Sequence, residues 1–430
     1  MDASQQLFND ELIDFLGCSP TPFHAVECMI ISLEQAGYQR LYEADSWQGL
    51  AAGRYYVCRN DSAIIAFNKA SESAVESGFK MVGAHTDSPC LKIKPTPEIS
   101  KHSYYQLGVE VYGGVLLNPW FDRDLSIAGR VTYKTTDGEL VSRLIDFEKP
   151  VAIIPSLAIH LDQEANSNKT INAQTDLPPL ILQLPKDKAL DFRDLLLQLI
   201  KADASSPKDA LQVLDYELSL YDTQTASIVG FHDDFISSAR LDNLLSCFVG
   251  LKALLESDNN KNTLLICSDH EEVGSVSAAG AHGSFLKSVL QRLTDTTENL
   301  SRCIDRSLMI SADNAHGIHP NFSDKHDANH GPILNKGPVI KVNANQRYAT
   351  SSETSAFFRH LCEQADVPVQ SFVVRSDMGC GSTIGPVTAS GLGVKTIDVG
   401  VPTFAMHSIR ETAGTWDAYY LFRVLRLYFS

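Results

Sequence analysis

Glu271 and Glu272 stand side by side in Thr263-Leu-Leu-Ile-Cys-Ser-Asp-His-Glu-Glu-Val-Gly-Ser275. An apolar run of strand character stops there at four ionisable residues, Asp269 to Glu272, and Gly274 and Ser275 follow. A buried strand running into a turn at a sheet edge has this pattern, and open α/β sheets place their sites at the carboxyl ends of strands. Neighbouring carboxylates repel unless a positive charge lies beside them. A metal ion held by one glutamate supplies that charge and leaves the other to act as a base on an attacking water. A solvated acidic turn is the plain alternative for the pair taken alone.

Other potential ligands recur at similar places. His85 and Asp87 follow the short apolar run 79–84, Asp242 stands where a helix is expected to begin, Asp313 ends the run 307–311, and His407 lies in the loop beyond 394–399. Each has an ordinary reading: a hydrogen-bonded turn histidine, a carboxylate compensating a helix dipole, a loop residue. Their recurrence at the strand ends of one region favours metal. Two histidines and three carboxylates suit two zinc ions bridged by a carboxylate. A His-Glu-x-x-His helix, a cysteine cage and a phosphate loop are all absent from the sequence. The loop Asp377-Met-Gly-Cys-Gly-Ser-Thr-Ile-Gly-Pro386 offers Cys380 or Ser382 as a nucleophile but shows no partner base, and reads better as a substrate-positioning loop with backbone donors.

The elements that must position these residues fall into two textures. Helices are expected over 4–17 and 23–37, a hairpin around Asn60-Asp-Ser62, and a strong helix over 241–256. Strands are expected at 263–267, 307–311, 339–342, 371–374 and 394–399, with helices between several of them, including 281–293 and 354–365. Between these parts, 104–117, 129–134, 140–145, 151–154 and 215–220 read as short strands, 162–176 as a polar loop and 190–201 as a helix. The expected fold is an α/β domain formed by 1–93 and 235–430, interrupted by a β-rich domain at 94–234.

Composition narrows the function. A chain of 430 residues is long enough for two domains, and its net charge of −16 argues against a nucleic-acid partner. A signal-like leader and an apolar run of bilayer length are both missing, so no membrane role is expected. Nine cysteines without CxxC pairs suit free thiols in a reducing compartment, and a cytoplasmic location is expected.

Taken together, Gly83-Ala-His85-Thr-Asp87-Ser-Pro, Arg240-Leu-Asp242-Asn243, Asp269-His-Glu271-Glu272-Val-Gly-Ser275, Ser311-Ala-Asp313, His316-Gly-Ile-His319-Pro-Asn and Met406-His407-Ser resemble the aspartyl aminopeptidase family of co-catalytic zinc exopeptidases. Lys336-Gly-Pro-Val-Ile-Lys341-Val-Asn343, Gln346-Arg-Tyr-Ala and Ile154-Pro-Ser-Leu-Ala-Ile-His160-Leu-Asp162 are similar to it as well, and the match keeps its order over nearly the whole chain. The resemblance implies a mixed-sheet catalytic domain with helices on both faces and a β-rich inserted dimerisation domain. It implies His85, Asp242, Glu272, Asp313 and His407 as ligands of two zinc ions per subunit, with Asp242 bridging and cobalt or manganese able to substitute. Glu271 becomes the general base, and Asp87 orients His85. His160 is expected to reach a neighbouring subunit's site within a tetrahedral dodecamer. His316 and Lys341 are expected to contact peptides with a free acidic N-terminal residue, with Arg347 or Arg375 aiding. Gln163 stands where a basic residue is often found. The rivals are a di-zinc deacylase or carboxypeptidase on the same scaffold, and a metal-stabilised scaffold without activity.

Overall fold

The structure, a computed structural model, describes residues 3–185, 190–202, 209–258 and 260–430. The chain divides into two compact units, Met1–Ser88 with Ala226–Met406 and Arg410–Ser430, and Pro89–Thr225 with His407–Ile409.

The first unit is built on a nine-stranded sheet in the order Gln39–Arg40, Gly53–Arg59, Ala63–Lys69, Thr263–Ser268, Lys80–His85, Leu308–Ala312, Lys395–Gly400, Val339–Lys341 and Gln370–Phe372. The four strands from Thr263–Ser268 to Lys395–Gly400 are mutually parallel, whereas Ala63–Lys69 and Val339–Lys341 join them antiparallel. Parallel strands are covered on both faces, which is why they read as unbroken apolar runs. Here alternate residues serve different layers. Val82, Ala84, Leu265, Cys267, Ile310 and Ala312 pack with Leu12, Met29, Leu245 and Leu421 from the helices Ala3–Gly17, Pro22–Gln35, Leu241–Leu255 and Asp417–Phe429. Met81, Leu264, Ile266 and Met309 face the opposite way, onto Phe285, Val289 and Leu300 of the helices Phe285–Thr294 and Thr297–Asp305. The fold is mixed α/β with helices on both faces of the sheet. A smaller five-stranded sheet in the same unit joins Ser227–Val229, Phe235–Ser238, Glu411–Gly414, Pro402–Phe404 and Ala315–His316.

The second unit is an antiparallel sheet of six strands, in the order Leu140–Asp146, Leu125–Thr135, Ala210–Asp222, Cys90–Lys101, Tyr104–Tyr112 and Leu180–Gln183. The helix Phe192–Ala202 lays Phe192, Leu196 and Ile200 into its core.

Two local expectations are corrected. Residues 151–154 form isolated bridges to Leu125 and Leu180 in place of a strand, because Pro150 and Pro155 bracket them and remove ladder donors. Conversely, the Pro95-Thr-Pro97 stretch lies inside the strand Cys90–Lys101, where a register irregularity between Ile93 and Glu98 accommodates the two prolines. Nor are all the cysteines free. Cys18 and Cys28 are joined, with Cα atoms 6.6 Å apart, and seven others are free thiols. Among the described residues no helix is long and apolar enough to cross a membrane.

Close approach fixes one position at the carboxyl edge of the large sheet. A Cβ on Gly400 would lie 1.9 Å from the carbonyl oxygen of Asp313. Neither backbone can yield, since Asp313 donates its N–H to Val399 and Ala315 donates to Val401. Gly400→Ala is expected to cost about 1–3 kcal/mol through overpacking; denaturant unfolding that matches wild type would contradict this.

Candidate metal centre

Each candidate ligand of the first unit sits at the same edge for a local reason. His85 is the last residue of its strand, held from behind by the Cys247 thiol, which donates to its carbonyl (3.0 Å). Its Nδ1 lies 3.0 Å from the carbonyl oxygen of Asp87. A carbonyl can only accept, so Nδ1 carries a proton and donates it. The opposite nitrogen, Nε2, faces Asp242 Oδ1 and Asp313 Oδ1, each at 3.6 Å.

Asp87 is fully buried and does more than meet His85 (Oδ1 3.3 Å from Nδ1). Its two carboxylate oxygens accept the backbone N–H groups of Glu271 and Glu272, both at 3.1 Å. Those glutamates occupy a single helical turn, Glu271–Val273, between His270 and Gly274, both at positive φ. One carboxylate thus fixes the main chain, and with it the Cα–Cβ direction, of both glutamates.

Asp242 differs from the expected first helical turn. It is buried, and both Asp242 and Asn243 have non-helical backbone angles, with a cis peptide bond between them. Its N–H donates to Glu411 Oε2 (2.9 Å) and its carbonyl accepts from the Ser88 hydroxyl (2.6 Å). Asn243 donates to the Ala312 carbonyl (2.9 Å), tying this segment to the strand that leads to Asp313. The Asp313 carboxylate is bound by Lys341 Nζ at 3.2 Å. Lys341 is itself buried.

The donor atoms converge. Ligand atoms of His85, Glu271 and Glu272 lie within 4.8 Å of one another, as do those of His85, Asp242 and Asp313. A lone pair on Nε2 aimed at two carboxylates is tolerable only with a cation, or a proton, between them, so the residues fit a bound metal. With a proton in that place, burial opposes the charge, yet bonds to Asp242, Asp313 and Asp87 outweigh it and raise the His85 pKa well above its ordinary value. Burial also pushes the Glu271 carboxyl up to about 7; His85 counteracts this, and Asp313, Asp87 and Asp242 reinforce it.

His407 belongs to the short segment His407–Ile409 of the second unit, where its Nδ1 is 3.1 Å from the Gly114 carbonyl. His160 is exposed in the second unit, between exposed Leu157, Ile159 and Leu161. His316 stands beside Phe372, ring centroids 5.7 Å apart, and lines a cavity with Tyr348. Arg375 is committed to Asp377 through two hydrogen bonds, and Arg347 is exposed. Sequence reasoning passed over Glu411, buried under Asp242, and Asp398, buried mid-strand. A single carboxylate inside the apolar run 394–399 was the available signal for Asp398.

Residues 15–429 match the family described as Aminopeptidase I zinc metalloprotease (M18). The chain belongs to this family. It is 61% identical over 419 residues to a protein named Probable M18 family aminopeptidase 2 from Ectopseudomonas mendocina, with 97% of each chain covered. Among solved structures it resembles the chain described in the Ape4 and Nbr1 complex (TM-score 0.95, 39% identity, 99% of this chain and 86% of that one). It also resembles the S. cerevisiae mApe1 dodecamer (TM-score 0.86, 29% identity, 100% and 97%). The M18 chain is a zinc metalloaminopeptidase, a hydrolase that removes residues from peptide amino termini.

Asp87→Ala is expected to weaken zinc binding by about 10–100-fold, as losing the partner of a ligand histidine does. Chelator competition read by zinc content would show it; unchanged affinity would remove Asp87 from the design of the centre.

Proposed function

We propose that this aminopeptidase uses two zinc ions, held by His85, Asp242, Glu272, Asp313 and His407 with Asp242 bridging, and Glu271 as general base. The observation that carries the proposal is the paired hydrogen bonding of Asp87 to Glu271 and Glu272, which sets a base and a ligand on one rigid turn. Zinc, when bound, polarises the scissile carbonyl and makes water a stronger acid; cobalt or manganese can do the same. Glu271 accepts the proton of the attacking water and hands it to the departing amine. A base poised near neutrality suits both transfers, and the rise of Glu271 toward about 7 provides it. The free α-amine of the substrate is held by the carboxylate-rich centre, which restricts cleavage to the first residue.

A preference for Asp or Glu as that residue follows from Lys341, the buried cation that faces Asp313. A substrate carboxylate arriving beside it finds a desolvated ammonium, where charge pairing is strong. Of Lys341, Arg347 and Arg375, Lys341 is the buried one, and Arg375 is held by Asp377 through two hydrogen bonds. His316 lines the adjoining cavity and completes the contact.

The second unit serves assembly in this reading. Leu157, Ile159 and Leu161 expose apolar surface around His160, an arrangement suited to burial against another copy. The dodecamer of the yeast relative supplies the stoichiometry, and His160 then serves a neighbouring site as an oxyanion donor.

The decisive experiment is cleavage of Asp-X, Ala-X and N-acetyl-Asp-X dipeptides before and after chelation. Preferential cleavage of Asp-X, lost on chelation and restored by zinc, is expected. Cleavage of the acetylated peptide would mean a deacylase, and no cleavage in any metal a dead scaffold. Glu271→Gln is expected to retain zinc and lose turnover by several orders of magnitude; normal activity would refute the base. Protonated Glu271 cannot accept a proton, so kcat/KM should fall as pH drops through its pKa. That limb lies at or below about 7, because a bound cation lowers the value from its metal-free position. An acid limb that persists unchanged in the residual activity of Glu271→Gln would assign it to another group. Lys341→Ala should harm Asp-X more than Ala-X cleavage.

A further inference from the structure

Beside the metal centre the first unit holds a cavity of about 280 Å³, lined in part by His316, Tyr348, Phe372, Met378, Cys380 and Thr403. Two of its walls are loops with little regular structure of their own. One is the segment around Tyr348, whose ring centroid lies 5.4 Å from Lys341 Nζ. The other is the glycine-rich stretch around Met378 and Cys380, which runs into the helix Ile384–Leu392. Loops of this kind do not hold a shape by themselves, so something behind them must.

That something is a single carboxylate. Asp398, fully buried in the middle of the strand Lys395–Gly400, is not among the residues that line the cavity. Its Oδ1 accepts the hydroxyl of Thr383 and its Oδ2 the backbone N–H of Ala349, both at 2.6 Å. Ser311, two residues before Asp313, pairs with Asp398 across the neighbouring parallel strand. The Asp398 N–H donates in turn to the Thr350 hydroxyl (3.0 Å). Thr383 precedes the helix Ile384–Leu392 but spends its hydroxyl on Asp398 instead of capping the helix. The fit leaves no slack: a Cβ on Gly385 would lie 2.2 and 2.4 Å from the two carboxylate oxygens.

A buried carboxylate is costly unless its oxygens are satisfied. Burial accordingly pushes its acidity down, while the hydrogen bonds from Thr383 and Ala349, with Lys341 nearby, favour the charge. A structural tie between two loops could be made by neutral groups, or by packing. The position of this one, one layer behind the cavity beside Lys341 and joined to both walls, matches a device that sets the spacing of the walls.

We propose that Asp398 is a positioning residue for the substrate's first side chain, holding the Tyr348 and Met378–Cys380 walls of this cavity at a fixed separation through Ala349 and Thr383. The proposal rests on the aminopeptidase reading of the site, but not on a preference for acidic residues. Asp398 acts on binding of the side chain and leaves the proton transfers at Glu271 untouched. Its loss therefore shows in KM, with kcat and metal content preserved.

The test uses the zinc-loaded enzyme and the free-amine dipeptide that wild type cleaves best, whichever residue comes first. For Asp398→Ala, KM is expected to rise about tenfold or more while kcat stays within about threefold of wild type and zinc content is unchanged. Thr383→Val, which removes one tether and keeps the carboxylate, should raise KM in the same way to a smaller extent, and Thr383→Ser should restore it. If Asp398→Ala does not fold, the threonine pair decides on the same readout. A fall in kcat alone, loss of zinc, or a KM within about threefold of wild type in folded Thr383→Val would overturn the proposal. A wild type indifferent to acidic first residues would refute the substrate preference above and leave this comparison intact.

Discussion

The carboxylate of Asp87 accepts two successive backbone N–H groups, those of Glu271 and Glu272, while it faces His85 on the other side. Much of the centre depends on this one arrangement. Two like-charged side chains on adjacent residues would ordinarily swing apart into solvent, each choosing its own rotamer. Fixing their main chain from below sets both Cα–Cβ directions, which in the proposed mechanism lets one face a cation and the other the water beside it. The cost is a buried negative charge, and it is met by backbone donors that no side-chain motion can withdraw. The parallel strands do the rest: Lys80–His85 and Thr263–Ser268 are in register, His85 opposite Ser268, so the two halves of the arrangement meet at one edge.

Charge is balanced locally in a chain that is strongly acidic overall. At the Asp313 corner the balance comes from Lys341, whose ammonium is buried and bonded to a carboxylate that also faces His85. A neutral residue there would leave four carboxylates of the first unit, those of Asp242, Glu271, Glu272 and Asp313, to share fewer positive partners. Lys341 thereby lies between Asp313 and the cavity wall at Tyr348, whose ring centroid is 5.4 Å from its Nζ.

Much of this was legible in the sequence, for a physical reason. Strands covered on both faces must be apolar throughout, so the first polar residues after them mark the sheet edge; His85, Glu271 and Asp313 were found in that way. The same logic failed where the polar residue is inside the strand. Asp398 interrupts an apolar run and so looks like noise, although interruption of a buried strand by a carboxylate requires partners. Asp242 was placed correctly along the chain but in the wrong conformation, since the periodicity of Leu241–Leu255 extends through it and gives no hint that its backbone leaves the helix. The strand Cys90–Lys101, which carries Pro95 and Pro97 at a register irregularity, was not among the expected strands. Burial of Lys341 could not be read from a three-residue strand, which is too short for periodicity to show which face is covered.

The geometry around His85 has one consequence for how the enzyme acquires its metal. With Nδ1 committed to the Asp87 carbonyl, the ring has a single nitrogen to offer, and in the absence of a cation the facing carboxylates hold a proton on it. In the proposed ligand set, zinc has to displace that proton to bind His85. On that proposal hydrogen ions and zinc are competing ligands for one atom, so acidification opposes metal loading as well as the chemistry.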